Sequence, residues 1–469
     1  MRVLQKTVKK MKKYKFSKTY VAAFLYRFAF LLFVPLLQGF LFAKKGSEIL
    51  FTLYSTDLLV LVLLLSIAVV RCNKSELIHS QQKTEIKSGI FFKISEKTMK
   101  NKRCSFVFES GFILRLFGGS RLRIYSGKGF STAYIRNVDK KDIIKDLLKE
   151  SPEKNISSGI LRNLIMSASF SNALTGLLAA VPLMRRASLI MGARQTALIL
   201  EGANLDGILK FTGLPPLLSR ISVVLFFCWI VGFFTEFFRE YSLDFKKFPD
   251  YFMVSKGLIT KTQAVFGKNS VRALIFRQSL LMFLLGFYSS EICLNIQSRR
   301  KICVLSAARA TDSINLQEEI YGRIFEKSKV IYPPKSAVLG YTYLPVICFS
   351  VSSLSVIFFS ENIVIKAVSA VLTGIFALWF LFRFFALFRS SLRFSKDFFE
   401  IKYFSGMNFT RIVFKAEDLM GSELTQSIFQ RKNGRCNVKL CIANSKALKV
   451  KIKHLNLKDA EKIKSRHLG

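Results

Sequence analysis

Two kinds of pattern alternate along the chain: long unbroken apolar runs, and polar stretches in which short alternating segments recur. A membrane-spanning helix needs roughly 20 mostly apolar residues. The runs 20–43 and 49–70 meet that length and are joined by a short KKGSE connection. Run 156–184 is apolar but rich in Ser, Ala, Gly and Asn, and run 217–238 is strongly apolar. Runs 341–360 and 363–388 form a third pair, split by Glu361 and Asn362. This pattern predicts about six transmembrane helices in three pairs. The chain then divides into a basic N-terminus (1–19), a first pair (20–70), a β-rich domain (71–155), and a second pair (156–238) with an irregular connection at 185–216. A second β-rich domain (239–340), a third pair (341–388) and a third β-rich domain (389–469) follow.

The polar blocks repeat one another. Gly89 and Gly118, Gly257 and Gly286, and Gly406 and Gly434 stand 29, 29 and 28 residues apart. In each copy the second glycine lies eight residues after Ser110, Gln278 or Gln426. The first glycine sits between two short alternating runs, as in YFMVSKGLI, which predicts a hairpin, because glycine reaches positive φ without a steric penalty. Stretches such as 270–276 and 410–414 alternate with period two and predict strands. Each block ends in a helical pattern, at 139–148 with Asp139 as N-cap, at 313–327 and at 458–466. The expected fold is a polytopic α-helical membrane protein carrying three β-rich domains, each closed by a C-terminal helix.

The pattern K-x-G … Q-S-x-x-x-x-x-x-G, after two apolar runs and before a short helix, resembles bacterial pleckstrin-homology-like (PH-like) domains. The three-copy layout is similar to PH-domain membrane proteins of the YdbT/YdbS type. The first copy departs from it with Ser110-Gly111, and the third with Lys432-Asn433. The resemblance implies two roughly orthogonal sheets closed by a helix in each domain. It brings no catalytic residues.

Composition sharpens this. Of 469 residues 51% are hydrophobic, 47 being Phe, and 72 basic against 30 acidic residues leave a net charge of +42. Such a chain is not a simple soluble cytosolic enzyme, an acidic secreted protein or a disordered tail. Basic residues flanking the runs place the N-terminus and the β-rich domains on the cytoplasmic face of a bacterial cell membrane, with the chain crossing several times. Eight cysteines form no CxxC pair, and the three histidines, His79, His454 and His467, have no metal-ligand spacing. Phosphate-binding loops, nucleophile elbows and zinc-protease motifs are absent from the sequence. Glu417-Asp418 reads as a solvated turn. No catalysis, cofactor, metal or nucleic-acid binding is expected.

Two residue groups stand out. The density of Lys87, Lys93, Lys97, Lys100, Lys102 and Arg103 makes them candidates for anionic-lipid headgroup contact, since each base near such a surface is worth about 1 kcal/mol. Arg27, Asp57, Arg162 and Arg220 fall inside predicted spans, where charge costs roughly 2.5–3.5 kcal/mol. The expected function is a non-catalytic multi-pass membrane protein. Its PH-like domains would serve scaffolding, or contact with lipids, a membrane-protein partner or further copies of the chain, in envelope maintenance or stress resistance. The alternative is a transporter or lipid flippase using the intramembrane charges.

Overall fold

The computed structural model describes residues 12–28, 46–80, 83–89, 94–100, 104–126, 129–148, 150–171, 216–294, 301–322, 324, 328–358, 361, 363–405, 408–442 and 448–461. In chain order the first part runs β1 (Lys12–Lys15), α1 (Thr19–Phe28), α2 (Gly46–Lys74), β2 (Glu76–His79), β3 (Lys83–Ser88), β4 (Ile94–Lys100), β5 (Ser105–Ser110), α3 (Phe112–Leu116), β6 (Gly119–Ser126), β7 (Gly129–Arg136) and α4 (Asn137–Leu148). The middle part runs β8 (Lys154–Ser157), α5 (Ile160–Phe170), α6 (Pro216–Glu240), β9 (Asp244–Lys247), β10 (Tyr251–Lys256), β11 (Lys261–Gly267), β12 (Val271–Gln278), α7 (Leu280–Leu284), β13 (Phe287–Leu294), β14 (Ile302–Arg309) and α8 (Ala310–Tyr321). The last part runs β15 (Lys329–Ile331), α9 (Val338–Phe358), α10 (Ile363–Arg389), β16 (Ser391–Phe394), β17 (Phe398–Ser405), β18 (Asn408–Lys415), β19 (Leu419–Thr425), α11 (Ile428–Lys432), β20 (Arg435–Ile442) and β21 (Leu448–Asn456). Residues 457–461 are helical.

These elements form three modules of seven strands, β1–β7, β8–β14 and β15–β21. The sheets do not respect the module boundaries. Their orders are β1-β2-β3-β4, then β7-β6-β5-β11-β10-β9-β8, then β14-β13-β12-β18-β17-β16-β15, then β19-β20-β21. Each module therefore makes a four-stranded half and a three-stranded half, and the three-stranded half of one joins edge to edge with the four-stranded half of the next. The two junctions are antiparallel. In β5–β11, Ser110 stands opposite Lys261 and Ser105 opposite Phe266. In β12–β18, Gln278 stands opposite Phe409 and Ala273 opposite Phe414.

The chain forms two compact units. The first comprises Met1–Ile156, Asp244–Val271 and Asn295–Arg299; the second comprises Ser157–Leu243, Arg272–Leu294 and Arg300–Gly469. The middle module is thus divided, with β9–β11 in the first unit and β12–β14 in the second. The core of the first unit gathers Leu77, Ile86, Phe106, Phe108, Leu122, Ile124, Ile135, Ile143 and Val265. Alternation along β5 and β6 sends these residues inward, and Ile143 of α4 closes over them. The second unit buries Ile275, Leu392, Ile401, Ile412, Phe414, Val438, Leu440, Ile452 and Ala460 in one cluster.

The expected polytopic helical fold with about six spans is corrected here. The protein is largely β-sheet, and among the described residues two stretches are long and apolar enough to cross a membrane, Lys335–Phe358 and Val368–Arg389. The first and third predicted spans are described as helix only over α1 and α5, 10 and 11 residues long. Helices α2 and α6 follow the other two runs without adding to the count among the described residues. The predicted connection 185–216 lies, but for Pro216, outside the described residues. The overcount arises because an apolar run of span length need not be one helix of span length: runs 20–43 and 156–184 carry described helices of only 10 and 11 residues. Several phenylalanines outside the runs go to the sheets. Phe106, Phe108, Phe245, Phe252, Phe266, Phe276 and Phe414 are among the largest fully buried side chains and all belong to strands. Part of the aromatic composition thus fills sheet cores rather than apolar helices.

Helices α9 and α10 form an antiparallel hairpin held by small polar groups. The Ser355 hydroxyl donates to Ser369 Oγ at 2.8 Å, and the Thr373 hydroxyl to Ser352 Oγ at 3.0 Å. Small hydroxyl residues let helix backbones approach closely where lipid offers no hydrophobic drive. The base of the hairpin is tied to β21, because the Tyr341 hydroxyl donates to the Lys453 carbonyl at 3.1 Å.

Candidate functional site

The second unit contains a cavity of about 470 Å³ beside the β12–β18 junction, where α10 ends. Its wall includes Phe276 and Gln278 from β12, Lys402 and Tyr403 from β17, Phe409 and Arg411 from β18, and Arg389, the last residue of α10. Among the described residues three basic side chains line it, and no acidic side chain is in its wall.

Arg389 is placed by aromatic rings. Its guanidinium carbon lies 4.2 Å from the centroid of Phe283 and 5.0 Å from that of Phe409, and it donates to Gln278 Oε1 at 3.3 Å. Ring faces attract a cation by about 0.5–2 kcal/mol and leave its in-plane donors available. Arg411 is held differently. It donates to Glu400 Oε1 and to Gln317 Oε1, both at 2.6 Å, and lies 5.2 Å from the Phe276 ring. Glu400 is only 2% exposed, and Lys402 and Arg393 approach it at 3.5 and 3.7 Å. A buried carboxylate needs such partners, since an unpaired one costs several kcal/mol. Glu400 thus orients Arg411 and Lys402 from behind the cavity. The arrangement suits an anion with several acceptor oxygens, because guanidinium forks bind such groups with charge-assisted hydrogen bonds.

The equivalent place in the first unit repeats part of this. Phe108 holds in β5 the position that Phe276 holds in β12, and the Lys140 ammonium lies 5.8 Å from its ring centroid. Lys140 donates to Ser110 Oγ at 3.4 Å. Burial, reinforced by Lys261, pushes its pKa down to about 8.

The residues singled out in the sequence fall elsewhere. Lys87 lies on β3 opposite Glu76, and Lys97 and Lys100 lie on β4. Lys93, Lys102 and Arg103 lie outside the described residues. Arg27, Asp57 and Arg220 belong to α1, α2 and α6. Arg162 is in the first turn of α5 and pairs with Asp312 of α8 at 3.8 Å. Gly118, Gly257, Gly286 and Gly434 have φ of +64°, +98°, +70° and +59°; Gly89 directly follows β3, and Gly406 lies outside the described residues. Asp139 is not the N-cap; α4 begins at Asn137, and Asp139 accepts from Arg136 Nε at 3.0 Å. The Glu417-Asp418 pair is only half solvated. Glu417 is exposed, whereas Asp418 is 1% exposed and bound to Arg272 at 2.5 Å. Burial raises the Asp418 carboxyl above the ordinary range, against the opposing pull of Arg272.

Sequence reasoning missed Arg389 and Arg411. Arg389 reads as an ordinary basic end of an apolar run, and Arg411 as one outward position of an alternating strand. The signal was available only as a coincidence of Arg389 with Phe409 and Phe283, far apart in the chain. None of the eight cysteines is in a disulfide, and among the described residues no group of three or more His, Cys, Asp or Glu side chains converges. Compared with family models, curated proteins and solved structures, the chain matches none, and nothing in these comparisons identifies it as a PH-domain membrane protein.

Proposed function

We propose that the chain is a non-catalytic scaffold anchored in a membrane by the α9–α10 hairpin, with its strand modules PH-like and on the cytoplasmic side. In this reading the Arg389 cavity receives the phosphate of an anionic lipid headgroup. The observation that carries it is the position of Arg389: the last residue of an apolar helix long enough to cross a bilayer lies in a cavity wall with Arg411 and Lys402. A headgroup phosphate at the end of a span lies at that depth, and its acyl chains would follow the apolar surface of the hairpin. Exposed apolar side chains on the short helices add to the argument. Phe112 and Leu116 on α3, Leu284 on α7, and Ile428 and Phe429 on α11 are each more than 60% exposed. Apolar side chains of this kind insert into the headgroup boundary of a bilayer.

The test is lipid retention. The full chain is extracted in mild detergent, and its bound phospholipids are counted by mass spectrometry. Arg389→Gln should lower retained anionic phospholipid at least fivefold while leaving zwitterionic lipid unchanged. Glycerol 3-phosphate and inorganic phosphate, added separately, distinguish a headgroup site from a free-phosphate site. Unchanged retention in Arg389→Gln with normal thermal unfolding overturns the reading.

A further inference from the structure

We propose that copies of this chain join head to tail, with β4 of one copy pairing antiparallel with β19 of the next. The argument starts from the two ends of the sheet series. Sheet order leaves β4 as the last strand of the four-stranded sheet and β19 as the first strand of the three-stranded one, and among the described residues no strand covers either outer edge. These are not arbitrary edges. Strand β4 is the fourth strand of its module, as β11 and β18 are of theirs; β19 is the fifth, as β5 and β12 are. The protein already joins a fifth strand to a fourth strand twice, in β5–β11 and β12–β18. A third junction of the same kind is missing its partner in both directions. An edge strand offers unpaired backbone donors and acceptors and recruits a complementary strand unless something blocks it.

The register of the missing junction follows from the two present. In the second module, Phe245 pairs with Val254, Val254 with Ala264, and Ala264 with Val107 of the first module. In the third, Leu392 pairs with Ile401, Ile401 with Ile412, and Ile412 with Ile275 of the second module. In the first module the same row is Leu77, Ile86 and Lys97. Val107 and Ile275 each lie five residues before their short helix, and in the third module that position is Glu423. Lys97 therefore falls opposite Glu423. Where the internal junctions place an apolar pair, Ala264–Val107 and Ile412–Ile275, the two open edges carry opposite charges.

This exchange explains how the edges stay usable without aggregating. At the equivalent register two β4 edges would set Lys97 opposite Lys97 and two β19 edges Glu423 opposite Glu423, and like charges directly opposite are destabilising. At that register β4 against β19 sets opposite charges together. Glu423 already binds Lys439 on β20 at 2.5 Å, so the junction would extend that row to Lys439–Glu423–Lys97. A second contact has its donor in place. At the first junction Arg115 of α3 donates to the carbonyls of Leu258 and Ile259 in the β10–β11 hairpin, both at 2.7 Å. Arg431 of α11 holds the same position in the third module. Such an interface is heterologous, so it generates closed rings or open filaments.

The test uses two differently tagged full-length chains, one carrying Lys97→Cys and the other Glu423→Cys, mixed in mild detergent and oxidised gently. The expected result is a disulfide-linked dimer containing both tags, at least tenfold above the yield from either variant alone and from the unsubstituted chain. Sedimentation of the unsubstituted chain should show association that weakens as salt is raised from 50 to 500 mM. Glu423→Lys should abolish association, and Lys97→Glu combined with it should restore association. No mixed dimer, equal cross-linking in all combinations, or a monomer at every protein and salt concentration overturns the proposal.

Discussion

At the scale of single residues, the groups that matter most are those whose partner lies far away in the chain. Asp418 is buried against Arg272, and removing the arginine leaves a charge without compensation. Arg272→Ala should lower stability by about 3 kcal/mol, read as a drop in the thermal unfolding midpoint, whereas Glu417→Ala, at an exposed neighbour, should change it little. His79 is nearly buried, with Nδ1 at 2.8 Å from Thr84 Oγ1, and burial pushes its pKa from 6.5 down to about 4. The folded state therefore holds a neutral ring that the unfolded chain protonates below about 6.5. Stability is full above that value and falls as the pH drops from 6.5 towards 4. His79→Leu should reduce the pH slope of the denaturation midpoint in this window. It should not abolish the slope, because burial also lowers the His454 pKa. An identical slope in the variant would show that His79 is not the group responsible. Gly340 is fixed by contact: a Cβ there would lie 2.4 Å from His454 Cε1. The histidine cannot retreat easily, since its backbone N–H donates to Asn437 Oδ1 at 3.1 Å and Gln430 binds its ring Nδ1 at 3.0 Å. Gly340→Ala should cost roughly 1–3 kcal/mol, and His454→Ala added to it should recover part of the loss.

Elements were legible to the extent that they are local. The alternation of 410–414 announces β18, and YFMVSKGLI announces the β10–β11 turn. The second glycines, Gly118, Gly286 and Gly434, all adopt the left-handed region and all end a five-residue helix. Nothing crowds the Cβ position of Gly286, so Gly286→Ala should cost only the backbone strain, about 1 kcal/mol. Gly286→Asn should recover part of it, measured by thermal unfolding of the full chain. Spans were less legible, because length and hydropathy do not distinguish a bilayer helix from apolar stretches committed elsewhere. The α9–α10 pair differs by its internal hydroxyl contacts, a feature that no window average reports. The lysine-rich stretch 93–103 was noticed for its charge, but β4 is also a sheet edge, and that second property depends on strands it does not pair with.

For the whole molecule, the series 4, 7, 7 and 3 was invisible in the sequence, since a strand pattern does not name its partner. Ile275 and Ile412 each read as an ordinary inward position; only the fold makes them one contact between modules. Disturbing that contact should therefore be felt on both sides of it. Ile275→Asp should increase amide exchange in β13 and in β17 together, whereas two independently folded modules would confine the change to one of them.

Strand sharing also sets a timetable for the nascent chain. Strand β5 leaves the ribosome about 150 residues before β11, the strand that completes its sheet. At about 5–20 residues per second, that gap lasts on the order of 10–30 seconds, and β12 waits a similar time for β18. Throughout each interval the outer edge of β5, or of β12, stands without the strand that will pair with it. Synthesis of this protein is thus a period of standing exposure, in which holding chaperones or a slowed ribosome would decide its yield more than the final stability does.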